Sequence, residues 1–156
     1  MNLQPYESIL AQPLAFWAAC TDQQNVVDVV RCIGLAPLND YDTITFFIPE
    51  KYSENFIQNL YTNKPLTFLG CALVNYESYQ YKGTFKSLRS CTEDEVEIQR
   101  LYMETFSDLT ELIGLAKEPV YKAYFHLPSV AVSMKVDEIF EQTPRQGTGK
   151  LLEKKT

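Results

Sequence analysis

Histidine is nearly absent from this chain: His126 is the only one. A Ser-His-Asp triad would have to be built on it, and no G-x-S-x-G nucleophile elbow occurs. His126 lies among Tyr124, Phe125 and Leu127, before Pro128, a setting for a packed ring rather than a catalytic one. Glycine is sparse too. There are six, with no G-x-G-x-x-G and no Walker loop, which excludes the common glycine-rich nucleotide motifs. Gly147-Thr148-Gly149-Lys150 has the end of a phosphate loop but neither the preceding strand nor the first glycine. The cysteines Cys20, Cys32, Cys71 and Cys91 are widely spaced with no C-x-x-C pair, so zinc ribbons and redox dithiols have no support. Buried free thiols are expected. Positive charge is in deficit, with a formal net charge of −6, which argues against nucleic-acid and anionic-membrane partners. No apolar run reaches the roughly 18 residues of a membrane span; the run from Leu66 to Val74 is broken by Thr67 and Gly70. The first basic residue is Arg31, so the basic start of a secretory signal is missing and a cytoplasmic location is expected.

What is present is an ordinary globular composition, 46% hydrophobic and 22% charged, over 156 residues. That length suits one domain over residues 1–156, with a polar arm at 144–156. The N-terminus, with Pro5 and Pro13, predicts one short helical turn. Leu14 to Thr21 and Val26 to Gly34 form an apolar hairpin rich in β-branched and aromatic residues. A turn at 22–25 would make facing residues sum to 47, with Cys20 opposite Val27. Thr43 to Ile48 alternates and predicts a third strand, stopped by Pro49. Ser53 is placed to cap a short helix whose Phe56, Ile57, Leu60 and Tyr61 share one face. Leu66 to Leu73 reads as a central strand.

Glu77 to Phe85 alternates with a period of two: Tyr79, Tyr81 and Phe85 point one way, Ser78, Gln80, Lys82 and Thr84 the other. Thr92-Glu93-Asp94-Glu95 is a capping box opening the one long helix, with Ile98, Leu101/Tyr102, Thr105, Leu109 and Leu112/Ile113 recurring at helical spacing and Gly114 as its stop. Glu93, Asp94, Glu95 and Glu97 favour that helix's dipole and read as a solvated face. Val130 to Val136 predicts a last strand, with a helical turn from Asp137. Six strands joined mostly by hairpin-length links predict a mainly β fold, an antiparallel sheet closed or half closed into a barrel with flanking helices.

Two features point toward a site. The polar face of the 78–85 strand sets donors, acceptors and a cation on a stiff scaffold; solvent contact alone would also account for it. Arg31 stands among Val27, Val29 and Ile33, with Asp28 on the opposite face. An arginine in an apolar strand needs a partner, either a distant carboxylate or an anion such as phosphate held bidentately.

The order of parts resembles the FMN-binding split barrel of the pyridoxamine 5′-phosphate oxidase-like family. The matching pieces are Val30-Arg31-Cys32-Ile33-Gly34; Thr45-Phe46-Phe47-Ile48 followed by a short helix ending in Asn63-Lys64-Pro65; Tyr79-Gln80-Tyr81-Lys82-Gly83; and Val136 to Pro144. The resemblance implies a six-stranded antiparallel split barrel, a homodimer, and flavin mononucleotide (FMN) held between subunits by an oxidoreductase acting on a small molecule. It implies Arg31 at the FMN phosphate, backbone around Phe47 and Ile48 along the ring, and Ser78 and Gln80 at its rim. Lys51 or Lys82 would add positive charge. The family's lysine closing the arginine strand is replaced by Ala36, and its Ser-Arg-Lys cluster by Pro49-Glu50-Lys51-Tyr52-Ser53. The arginine and histidine that hold pyridoxal phosphate have no counterpart, so pyridoxamine phosphate oxidation itself is not expected. A barrel dimer without cofactor, or one holding haem or a deazaflavin, are the other readings.

Overall fold

The structure, a computed structural model, describes residues 1–155. A 3-10 turn, Gln4–Tyr6, and a short helix, α1 (Glu7–Leu10), lead into the first strand. The strands are β1 (Ala15–Thr21), β2 (Val27–Arg31), β3 (Thr43–Pro49), β4 (Pro65–Cys71), β5 (Ser78–Ser90), β6 (Ser129–Glu141) and β7 (Leu151–Lys154). The other helices are α2 (Glu54–Thr62), α3 (Glu93–Glu111) and α4 (Lys117–Tyr124).

All strand pairs are antiparallel, in the order β2-β1-β4-β5-β6-β3, with β7 added to β6. The residues after β2 join the two ends of that order. Ile33 N–H donates to the Phe47 carbonyl, Phe47 N–H to Gly34 and Ala36 N–H to Thr45, at 2.8, 3.1 and 2.9 Å. The sheet thus closes on itself through residues 33–36, which leaves few unpaired edge groups. Gly34 makes the change of partner possible, because its φ of +138° is open to glycine and costly for other residues. Inside the barrel, Phe68 stacks between Phe16 and Phe46 at 5.3 and 5.2 Å, with Tyr81 beside it.

A second, smaller core lies outside the barrel. Phe47, Ile33 and Ala131 point outward and are covered by Met103 and Phe106 of α3, with Val120 and Tyr121 of α4 packed alongside. The alternation of β3 therefore serves two cores at once: Ile44, Phe46 and Ile48 face the barrel interior and Phe47 faces α3.

Several expectations are corrected. The first hairpin pairs Cys20 with Asp28, so facing residues sum to 48. The extra residue is absorbed by Asp22, whose carboxylate accepts from Gln24 and Val26 N–H, and by Asn25 at φ +63°. Ser53 precedes α2 without a side-chain capping bond. No helical turn opens at Asp137: β6 runs on to Glu141, because residues 138–140 find partners in both β5 and β7 and Glu141 pairs with Tyr79 of β5. The polar arm carries β7, paired with β6. The Pro-bounded segment contains α4, with Pro119 in its first turn, where a missing N–H is harmless. Of the thiols, all free, Cys20 and Cys32 are buried but Cys71 and Cys91 only half-buried.

Candidate functional site

Strand register decides which side chains share a face, because directly opposed residues point the same way. One row crosses five strands: Arg31 faces Trp17, Trp17 faces Leu69, Leu69 faces Gln80, and Gln80 faces Phe140. The adjacent row runs Val29, Ala19, Thr67, Lys82, Glu138. This is the outer face of the barrel. Val27, Val29 and Trp17 are 62%, 52% and 37% exposed on it, whereas Val30 and Cys32 face the interior. The valines around Arg31 are therefore surface residues, and the apolar strand that made this arginine conspicuous has its other side in the core.

Arg31 is held all the same. One Nη donates 2.9 Å to the Phe16 carbonyl and the other 3.2 Å to the Tyr102 hydroxyl. Tyr102 in turn donates 2.6 Å to the Leu14 carbonyl. Burial pushes the Tyr102 phenol well above its ordinary value, so it stays a hydroxyl that can relay this contact. The guanidinium lies 4.4 Å from the Phe106 ring centre, 5.2 Å from Trp17 and 5.4 Å from Tyr124, within cation–π range. The chain has four arginines. Arg89, Arg100 and Arg145 pair with Glu95, Glu97 and Glu141 at 2.7, 3.3 and 3.0 Å. Among the described residues Arg31 has no carboxylate partner, so the distant ion pair considered from sequence is not made.

The other candidates are partly gathered. Ser78, Gln80 and Lys82 follow one another on the outer face of β5. Ser78 is buried at the strand's start, its hydroxyl donating to Tyr76 O and its N–H to Thr143. Gln80 accepts from the Gln142 amide at 3.1 Å, and the Lys82 ammonium lies 4.5 Å from the Phe140 ring centre. Arg31 and Gln80 share a row but sit three strands apart, about 14 Å at about 4.8 Å per strand. Lys51 is in the exposed turn after β3, its ammonium 4.8 Å from the Tyr52 ring centre. Phe47 and Ile48 are fully buried, and both hydrogen-bonding groups of the Phe47 backbone are engaged with residues 33 and 34. The structure does not bring Phe47 and Ile48 to an open face: α3 covers one and the barrel core encloses the other.

Sequence reasoning missed Tyr102, Phe106, Trp17 and Tyr124, the residues that hold Arg31. Tyr102 and Phe106 are four apart on α3 and so neighbours, but nothing local shows that they meet a side chain 71 residues away. His126 is half-buried, its ring 5.7 Å from that of Tyr52 and Nε2 3.2 Å from Ala123 O. Among the described residues no group of three or more His, Cys, Asp or Glu is placed to hold a metal. No described helix is long and apolar enough to cross a membrane.

No protein-family profile matches the chain, and no curated protein does. Solved structures do. HupZ from Group A Streptococcus is 13% identical, with 94% of this chain and 97% of that chain covered at a TM-score of 0.55. A Clostridium acetobutylicum protein of the pyridoxinephosphate oxidase family, related to general stress protein 26 of B. subtilis, is 8% identical, covering 97% and 94% at 0.54. An F420 reductase is 14% identical, covering 85% and 94% at 0.51. The mainly β architecture of this chain is thus that of the pyridoxamine 5′-phosphate oxidase-like split barrels, and at these identities the likeness establishes the fold.

Proposed function

We propose that this split barrel is a flavoprotein that holds FMN between two copies of the chain and passes electrons to or from a small molecule. The observation that carries the reading is Arg31: a cation with no carboxylate partner, fixed in orientation from two sides and set on an outer face. A guanidinium held in this way is suited to an anion such as a phosphate.

A second copy supplies what one protomer lacks. An axis parallel to the strands and midway between β1 and β4 lays the outer face on itself. That operation sets Arg31 of one protomer over the Gln80 row of its partner, and the reverse, as two-fold interfaces require. The apolar Val27, Val29 and Trp17 then become contact residues. Phosphate at Arg31 and a ring edge at Gln80 and Lys82 suit this donor set, with Lys51 a further source of positive charge; Ser78 does not, since it is buried with its hydroxyl and N–H already engaged. Ring packing on Phe47 and Ile48 does not, since both are covered. Bound flavin would supply the electron chemistry, while the residues named here hold and orient it.

One observation favours a second reading, a barrel dimer without cofactor: α3 and α4 already fill the outer side of residues 33 and 47. Titration with FMN decides between the two. Quenching of flavin fluorescence is expected, with Arg31→Lys and Arg31→Ala each weakening it at least about tenfold, equivalent to about 1.4 kcal/mol. Circular dichroism of both variants separates lost binding from lost folding. Absence of quenching by the folded wild type overturns the flavin reading. A saturable shift and sharpening of the Soret band relative to free haem in a parallel titration would instead assign a haem ligand.

A further inference from the structure

The apolar stripe of α3 is only partly absorbed by the fold: Ile98 and Tyr102 pack on the cores and Tyr102 holds Arg31, while Leu101 and Thr105 pack on neither core. Its buried face is formed by Gln99, Met103, Phe106, Ser107 and Thr110. Leu101 is 64% exposed, and Thr105 is exposed as well. Ile98, Leu101, Tyr102 and Thr105 instead form one wall of a cleft of about 430 Å³. The turn at residues 35–38 forms a second wall, α1 and the chain up to Pro13 a third, and the Phe16 ring contributes to its lining. That volume falls in the range of about 300–1,000 Å³ typical of small-molecule sites.

The cleft is chemically lopsided. Tyr102 shows it an aromatic ring, because its hydroxyl is committed to Arg31 and Leu14 outside it. The Thr105 hydroxyl is turned back onto the Leu101 carbonyl at 2.9 Å. What remains polar lies on the α1 side: Glu7 and Gln12, both solvent-exposed residues of that wall. The Glu7 backbone is bonded to Gln4 and Ala11, but its carboxylate has no hydrogen-bond or ion-pair partner among the described residues, and no lysine, arginine or histidine lines the cleft.

We infer that this cleft binds a small organic cation with an apolar body, its ring or branched chain against Phe16, Leu101 and Tyr102 and its ammonium toward Glu7. The charge of the wall sets the preference. A carboxylate without a neighbouring base favours a cation and repels an anion, so the flavin phosphate assigned to Arg31 is not this ligand. The two sites are separated by one side chain, Tyr102, and their tests are independent.

Microcalorimetry with three probes of similar size tests the inference on the full chain: phenethylammonium, 2-phenylethanol and 3-phenylpropanoate. Phenethylammonium is expected to bind at least about tenfold tighter than the propanoate. Glu7→Gln should bring the two to within about twofold, and Thr105→Trp, which fills the cleft from an exposed position, should abolish binding of all three. Failure of every probe to bind the folded wild type overturns the inference. So does a charge preference that survives Glu7→Gln. If instead Leu101→Asp dissociates an oligomer and no probe binds, the cleft is a contact between copies and the inference falls.

Discussion

Gly83 sits where β5 and β6 shift register, and a Cβ placed on it would lie 1.8 Å from the Lys135 carbonyl oxygen. The obstruction is backbone within a paired strand, so it cannot swing aside as a side chain would. Gly83→Ala should therefore destabilise the fold by about 2 kcal/mol or more, as overpacked sites do. A lower urea midpoint at unchanged slope is the expected record; an unchanged midpoint would mean that the bulge relaxes. Arg31 is a different kind of residue. Its period-two neighbours are Val27, Val29 and Ile33 in either reading of the sequence, and only exposure distinguishes a buried strand face from an outer one. The alternation was legible and its direction was not, because a period of two separates two faces without saying which of them meets solvent.

Among the elements, α3 is the one whose start was readable together with the hydrogen bonds that fix it. Both bonds of its capping box are present: Glu95 N–H donates to the Thr92 hydroxyl, and Thr92 N–H to the Glu95 carboxylate. Arg89 extends the motif with two bonds to that carboxylate, at 2.7 Å each. Thr92→Ala should cost about 1 kcal/mol, the usual worth of an N-cap, measured by denaturant unfolding. The pH dependence follows from Glu95, whose carboxyl is held below its ordinary value near 4.5, first by the Arg89 hydrogen bonds. A lowered folded value means that this contribution is complete above the unfolded value and disappears as the pH falls through the folded one. Stability lost on acidification below about pH 4.5 should therefore be smaller in Arg89→Ala than in the wild type. Equal losses would remove Glu95 from the acid response. The same helix shows where local patterning stops. Its apolar positions were visible, but the face that is buried includes Gln99 and Ser107, because the barrel wall it meets runs along residues 33–36 and 47.

For the whole molecule, the outer face makes a direct claim about assembly. A sheet that leaves Val27 and Val29 more than half exposed beside Trp17 should bury them in a second copy. Sedimentation is expected to give a dimer, and Val29→Asp to give a monomer with an unchanged far-ultraviolet spectrum, since its side chain contributes nothing to the barrel core. A wild-type monomer at micromolar concentration would remove the interface and, with it, the shared flavin site. The sequence by itself determined where six of the seven strands lie, that the first two form a hairpin though not its register, and the long helix with its cap, since these follow from periodicities and hydrogen bonds that span a few residues. Barrel closure through 33–36, the aromatic enclosure of Arg31 and the cleft beside α3 were decided only by the tertiary structure. Each depends on which distant segments meet, and a local pattern specifies a face to be covered without naming what covers it.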